Sequence, residues 1–124
     1  MTERLSSSTK GTQGEAKAAA YLESDGWTVL ERNFRTRVGE IDLIVQRGSD
    51  LAFVEVKAWE SIPLEDLARS VGPRKRSRIV RAARLFLARR PELSSARPRF
   101  DVVFLGGAEG IRHIVDAFTE EGID

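Results

Sequence analysis

Residues 40–57 read E-I-D-L-I-V-Q-R-G-S-D-L-A-F-V-E-V-K, from Glu40 to Lys57. Two runs rich in β-branched and apolar residues, Glu40 to Gln46 and Leu51 to Lys57, flank the turn cluster Arg47-Gly48-Ser49-Asp50, which predicts an antiparallel hairpin with a four-residue turn. Pairing Gln46 with Leu51 sets Asp42 opposite Glu55 and Glu40 opposite Lys57, all four on one face. The other face carries Ile41, Leu43, Val45, Ala52, Val54 and Val56, an apolar set that must be buried. A slip of one residue would drive the carboxylates into the core, so the hydrophobic pattern pins the register.

Upstream of the hairpin, Thr12 to Asp25 reads as a helix with Thr12 as N-cap, Glu15 three residues on and Gly26 as the stop. Its inward stripe is Ala18, Ala19 and Leu22, and Glu15 falls on the same stripe, so one carboxylate points inward near the helix start. Trp27 to Phe34 reads as a first strand, and Arg35 to Gly39 turns the chain into Glu40. Downstream, a short helix is expected after Pro63, with Leu64, Leu67, Ala68 and Val71 at helical spacing. A second long helix runs from Pro73 to about Arg89 with Ile79, Ala82, Ala83 and Phe86 inward, and Pro91 ends it. Phe100 to Leu105 and Ile111 to Val115 are two more strands, reversed by Gly106 to Gly110. The order predicts an α/β domain, a mixed sheet of about five strands flanked by helices.

The chain has 124 residues, enough for one domain. It lacks cysteine and has a single histidine, so thiolate and histidine-rich metal sites are excluded, and any metal must be bound through oxygen. The amino terminus holds no apolar run to serve as a signal peptide or membrane span, and the expectation is a soluble cytoplasmic protein. The net charge of +1 conceals a strong asymmetry: Arg74 to Arg90 contains eight basic residues and no acid, set in an otherwise acidic chain. Such a segment, with Arg74, Lys75, Arg76, Arg78 and Arg81 at its start, points to a polyanionic partner.

Ladder neighbours such as Asp42 and Glu55 have Cβ atoms roughly 5 Å apart, and two ionised carboxylates at that distance repel by about 3 kcal/mol at an effective dielectric of 20. Lys57 supplies one compensating charge. A divalent cation held by Asp42 and Glu55 supplies two, and Mg²⁺, or Mn²⁺ in its place, suits a pair of carboxylates completed by waters and phosphate oxygens. Glu15 would complete or tune that shell; taken alone it reads as a capping or surface carboxylate. The chemistry that follows is phosphodiester hydrolysis, with Lys57 orienting water or neutralising developing charge. The competing structural reading is a cross-strand ion network on a solvated sheet face. His113 has no nucleophile partner in sequence and reads as a structural or surface residue, Trp59 as a core or rim aromatic able to stack on a base.

Gly39-Glu40-Ile41-Asp42-Leu43-Ile44 and Phe53-Val54-Glu55-Val56-Lys57, with Gly14-Glu15 and Tyr21-Leu22 before them and Pro73-Arg74-Lys75 and Arg99-Phe100-Asp101-Val102-Val103 after, resemble the YraN family of small bacterial proteins. The resemblance runs from about Gly11 to Phe118. That family is similar to the restriction-endonuclease-like superfamily, with its PD-(D/E)XK site, and to archaeal Holliday-junction resolvases. The resemblance implies Asp42 as the motif aspartate, Glu55 and Lys57 as the E-x-K pair, and Glu15 as the helix glutamate of the same catalytic site. Ala58 to Pro63 departs from the family pattern, in which a basic residue and a Phe-Gly turn follow the lysine. The division expected is a flexible tail at 1–11, one nuclease-like domain at 12–118 and a C-terminal tail at 119–124. The functional expectation is a Mg²⁺-dependent endonuclease acting on DNA, branched or single-stranded, as a homodimer whose two sites face two strands. The competing functional readings are a noncatalytic nucleic-acid-binding or assembly module that keeps the fold, and a protein-interaction domain.

Overall fold

The computed structural model describes residues 7–58, 71–106 and 110–119. Strands β1 (Thr28–Arg35), β2 (Glu40–Arg47), β3 (Asp50–Ala58), β4 (Arg97–Gly106) and β5 (Gly110–Phe118) form one sheet in the order β1-β2-β3-β4-β5. All neighbours are antiparallel except β3 and β4, which run parallel. A parallel pair needs a long crossover, and the connection here carries helix α2 (Pro73–Ala88) and a 3-10 turn at Pro91–Leu93. Helix α1 (Ser7–Ser24) precedes the sheet. No helix among the described residues is long and apolar enough to cross a membrane. The short helix expected after Pro63, and Trp59, lie outside the described residues apart from Val71, which is buried.

The β2–β3 register follows the hydrophobic pattern: Gln46 faces Leu51, Val45 faces Ala52 and Leu43 faces Val54. The turn is tighter than the four residues expected. Arg47 pairs with Asp50, leaving Gly48-Ser49 as a two-residue loop with Gly48 at φ 62, a conformation that glycine takes without a Cβ penalty. The recorded ladder then ends at Leu43↔Val54, so Asp42/Glu55 and Glu40/Lys57 are not ladder pairs.

Both faces of the sheet are covered, as expected of a sheet flanked by helices. Central strands in a parallel pair are buried on both sides, and Leu51 to Glu55 and Phe100 to Phe104 are unbroken runs of buried residues. On one face Leu43, Val45, Ala52, Val54 and Val103 pack with Ala18, Ala19 and Leu22 of α1 and with Trp27. On the other, Ile44, Leu51, Phe53, Phe100, Val102 and Phe104 pack with Ile79, Val80, Ala82, Ala83 and Phe86 of α2. Ile41 belongs to this second cluster, not with Leu43 as strict alternation required. The period of two fails across Asp42, where Ile41 packs on the same side as its β1 partner Phe34.

Smaller differences have local causes. α1 starts at Ser7, so Thr12 lies inside the helix rather than capping it; the Ser, Thr and Gly residues there are weak helix formers and give no start signal. Its end is as read: Gly26 sits at φ 92, and the Trp27 N–H donates to Leu22 O at 3.0 Å. β5 extends past Val115 to Phe118 because Asp116, at φ 54, accommodates a register shift against β4.

Candidate active site

Three carboxylates from three elements meet at one end of the sheet. Glu15 is carried inward by the same α1 stripe as Ala18, Ala19 and Leu22, and only 7 % of it is exposed. Glu55, on β3, is 5 % exposed, and Asp42 of β2 is half-buried between them. Asp42 is within hydrogen-bonding reach of both glutamates. It also accepts the Val56 backbone N–H at Oδ2, 2.8 Å away, just beyond the end of the ladder. Glu55 is too deeply buried to belong to an ion network on a solvated sheet face.

Crowding shows in the proton affinities. Burial pushes the Glu15 carboxyl up, and the charge and hydrogen bond of Asp42 push it further, to about 7. Burial likewise raises Glu55, the Asp42 charge adds to it, and the Lys75 ammonium opposes both, leaving Glu55 also at about 7. Glu15 and Glu55 thus hold their protons more tightly than free carboxyls do, chiefly because they are buried.

Two lysines reach this cluster. Lys57, half-buried on β3, lines a cleft of about 280 Å³ together with Gly14, Glu15, Asp42, Val56, Ala58 and Leu105. Lys75, in the first turn of α2, places Nζ 2.8 Å from Glu55 Oε2. Glu40 pairs instead with Arg35 across the β1–β2 ladder, with 3.4 Å between Arg35 Nε and Glu40 Oε1, and lines a cleft with Lys75.

The profile of the family described as Uncharacterised protein family UPF0102 matches residues 14–105. The chain belongs to the UPF0102 family. It is 44 % identical over 115 residues to a UPF0102 protein of Rhodopseudomonas palustris, covering 93 % of this chain and 87 % of that one. UPF0102 proteins of Granulibacter bethesdensis, at 43 % identity over 90 % of this chain and 71 % of theirs, and of Bradyrhizobium diazoefficiens, at 40 % over 94 % and 86 %, are similar in the same way. The matched UPF0102 segment holds Glu15, Asp42, Glu55, Lys57 and the whole basic helix; His113 and β5 lie beyond it.

Of the basic residues singled out in the sequence, Arg74, Arg78 and Arg81 are exposed at helical spacing along one stripe of α2. Lys75 is engaged with Glu55, and Arg76 is half-buried with its guanidinium 6.0 Å from the Phe118 ring. A second cleft of about 520 Å³ opens between the β1–β2 turn and α2, lined by Arg35, Thr36, Arg37, Val38, Gly39, Glu40, Lys75, Arg78 and Ile79. Its walls meet at Gly39, where a Cβ would run into the Arg78 carbonyl oxygen and lie 2.9 Å from Arg78 Cβ. Only glycine lets the turn approach the helix that closely.

Sequence reasoning missed the Lys75–Glu55 contact, although a signal existed. Lys75 precedes Ile79 by four residues and Ala82 by seven, so it stands on the inward stripe of α2 at the end where the helix overhangs the sheet. It also missed Asp101, fully buried in β4, which accepts from Arg99 Nε and Nη2, from the Asp116 N–H, and pairs with His113 Nε2 at 2.7 Å. Its carboxyl, which burial alone would raise, is held below the usual range by the His113 and Arg99 hydrogen bonds. His113 thus has a structural role, with its ring edge-on to Tyr21.

The donor set fits a hard cation only in part. Among the described residues no group of three or more His, Cys, Asp or Glu side chains is arranged to enclose an ion. Asp42 and Glu55 offer oxygen alone, and Mg²⁺ characteristically takes one or two carboxylates with waters and substrate phosphate rather than an all-protein cage.

Proposed function

We propose that this UPF0102 protein is a cytoplasmic, metal-dependent endonuclease that hydrolyses phosphodiester bonds in DNA, in branched or single-stranded form. The observation that carries the reading is the convergence of Glu15 and Glu55 on Asp42, beside Lys57 and at the foot of a helix exposing Arg74, Arg78 and Arg81. A mixed sheet with an aspartate and a Glu-x-Lys pair on adjacent strands is consistent with the PD-(D/E)XK pattern, and two sites facing two DNA strands call for a homodimer.

In this reading Asp42 and Glu55 would hold Mg²⁺ or Mn²⁺. When bound, the cation supplies Lewis-acid polarisation of the phosphoryl group and lowers the proton affinity of water. The protein supplies the rest. Lys57 is a compact positive charge with three donors, suited to orienting a water and offsetting charge that develops on phosphate oxygen. Glu15, a carboxylate on the cleft that Asp42 and Lys57 also line, is suited to taking a proton from that water. The α2 arginines hold backbone phosphate without reading sequence.

The test is a panel of branched, nicked and single-stranded DNA and of RNA, with Mg²⁺ or Mn²⁺, run on wild type and on Asp42→Ala, Glu55→Ala and Lys57→Ala. Wild type is expected to cut DNA, and each variant to lose at least about 10²-fold in rate with DNA binding retained. Wild type that retains DNA but cuts nothing in the panel would replace the endonuclease by a noncatalytic binding module.

A further inference from the structure

Lys75 stands between two environments. Its ammonium is 2.8 Å from Glu55 Oε2, yet half of its side chain is exposed, and it also lines the cleft that Arg37 and Arg78 share. Neither arginine has an ion-pair partner among the described residues, so that cleft is a net cationic recess next to a carboxylate cluster. Glu55, by contrast, is rigidly placed: it lies in the middle of the sheet with its side chain 6 % exposed. The mobile member of the pair is the lysine, on a flexible four-carbon stem.

We infer that Lys75 is an exchangeable counter-ion that occupies Glu55 in the free protein and turns into the Arg37/Arg78 cleft when a divalent cation takes its place, where it grips a backbone phosphate of the nucleic acid. This rests on the metal site proposed above. A cation on Asp42 and Glu55 and an ammonium on Glu55 Oε2 repel each other, so the two compete for one oxygen. Glu40 also lines that cleft but is paired with Arg35, so Arg37 and Arg78 leave the recess with positive charge to spare for an anion, and phosphodiester is the class that these arginines recognise. Cation binding at the carboxylates and phosphate binding in the cleft then favour one another, because each stabilises the same position of Lys75.

The experiment titrates Mn²⁺ into the full-length protein, free of nucleic acid, and follows free Mn²⁺ by electron paramagnetic resonance. Lys75→Met is expected to bind Mn²⁺ about tenfold more tightly than wild type, and Lys75→Arg, which keeps the charge, to remain near wild type. In parallel, the anisotropy of a labelled oligothymidylate is measured in EDTA and in Ca²⁺. Ca²⁺ is expected to strengthen oligonucleotide binding several-fold more in wild type than in Lys75→Met. Mn²⁺ binding that is unchanged or weaker in Lys75→Met removes the counter-ion role, and an equal gain from Ca²⁺ in both proteins removes the coupling to the cleft. No Mn²⁺ binding by any of the three overturns the metal site itself, and this inference with it.

Discussion

The Val56 backbone N–H donates to Asp42 Oδ2 at 2.8 Å, so a side chain takes over from the main chain where the β2–β3 ladder ends. Asp42 therefore both finishes the sheet and sets the charge environment of Glu15 and Glu55. Burial is the larger cause of their raised proton affinity and Asp42 the next. In Asp42→Ala both glutamates should titrate at lower pH than in wild type yet remain above the ordinary glutamate value of about 4.5. Carboxyl ¹³C shifts followed through a pH titration measure this, and unchanged midpoints would mean that Asp42 is not the neighbour that matters.

The raised carboxyls make stability depend on pH with a definite sign. Below about 4.5 Glu15 is protonated both folded and unfolded; between 4.5 and about 7 the folded state keeps a proton that the unfolded state has lost. Stability contributed by this group is thus present at acid pH and disappears as pH rises through 7. The cost of ionising it in the fold is about 3 kcal/mol. Glu15→Gln should match wild type near pH 4 and exceed it at pH 8 by up to that amount in urea unfolding. An equal difference at both pH values would place the effect elsewhere.

Much of this site could be read from residues alone, and the failures are specific. The β2–β3 register was legible because a side-chain period of two leaves one choice when Leu43, Val45, Ala52 and Val54 must share a face. Glu15 was legible because it falls on the helical stripe of Ala18 and Leu22. Ile41 was misplaced because alternation presumes a regular strand, and β2 loses its period at Asp42, where the recorded pairing with β3 has ended and the Asp42 side chain bonds the Val56 N–H instead. Ile44, Leu51 and Phe53 were given no partner, since the hairpin was read as half-buried before the parallel β3–β4 pairing placed it at the centre of the sheet. The Lys75 contact needed the position of the helix relative to the sheet, which is tertiary information.

Asp101 acts in the opposite sense to the glutamates. Its stability contribution is present above the ordinary aspartate range and is lost as pH falls through its lowered value. It also holds Arg99, whose guanidinium lies over the Trp27 ring, 4.9 Å from the centroid. Asp101→Asn leaves the partly buried Arg99 with only its longer 3.8 Å contact to Asp50, and a loss of about 2–3 kcal/mol at pH 7 is expected from denaturant unfolding. The acid limb of its stability curve should flatten as well. A change below 1 kcal/mol would mean that the network is not what fixes β4 to β5.

Gly39 carries a different kind of constraint. With the Arg78 carbonyl pressed against the place of a Cβ, Gly39→Ala must push the β1–β2 turn away from α2. The expected cost is about 2 kcal/mol, or about 8 °C in Tm for a domain of this size. The same shift alters the cleft between Arg37 and Arg78, so oligonucleotide binding should weaken in parallel. A variant as stable as wild type would show that the turn moves freely.

The salt dependence of DNA binding separates the arginines that can reach phosphate from those already engaged. If six side chains of the basic segment neutralised phosphates, the log-log slope would be about −5. The fold removes Lys75, paired with Glu55, and Arg90, paired with Glu92, from that set in the free protein, and leaves Arg76 half-buried. Four contacts, from Arg74, Arg78 and Arg81 on the exposed stripe and Arg37 across the cleft, give a slope of about −3.6 on duplex DNA, and exposed Arg84 and Arg89 add about −0.9 for each that also reaches phosphate. Arg78→Ala should reduce its magnitude by about 0.9 and leave sequence preference unchanged. Affinity that does not respond to salt would take the helix out of the interface, because phosphate contacts made by guanidinium groups release counterions in any geometry.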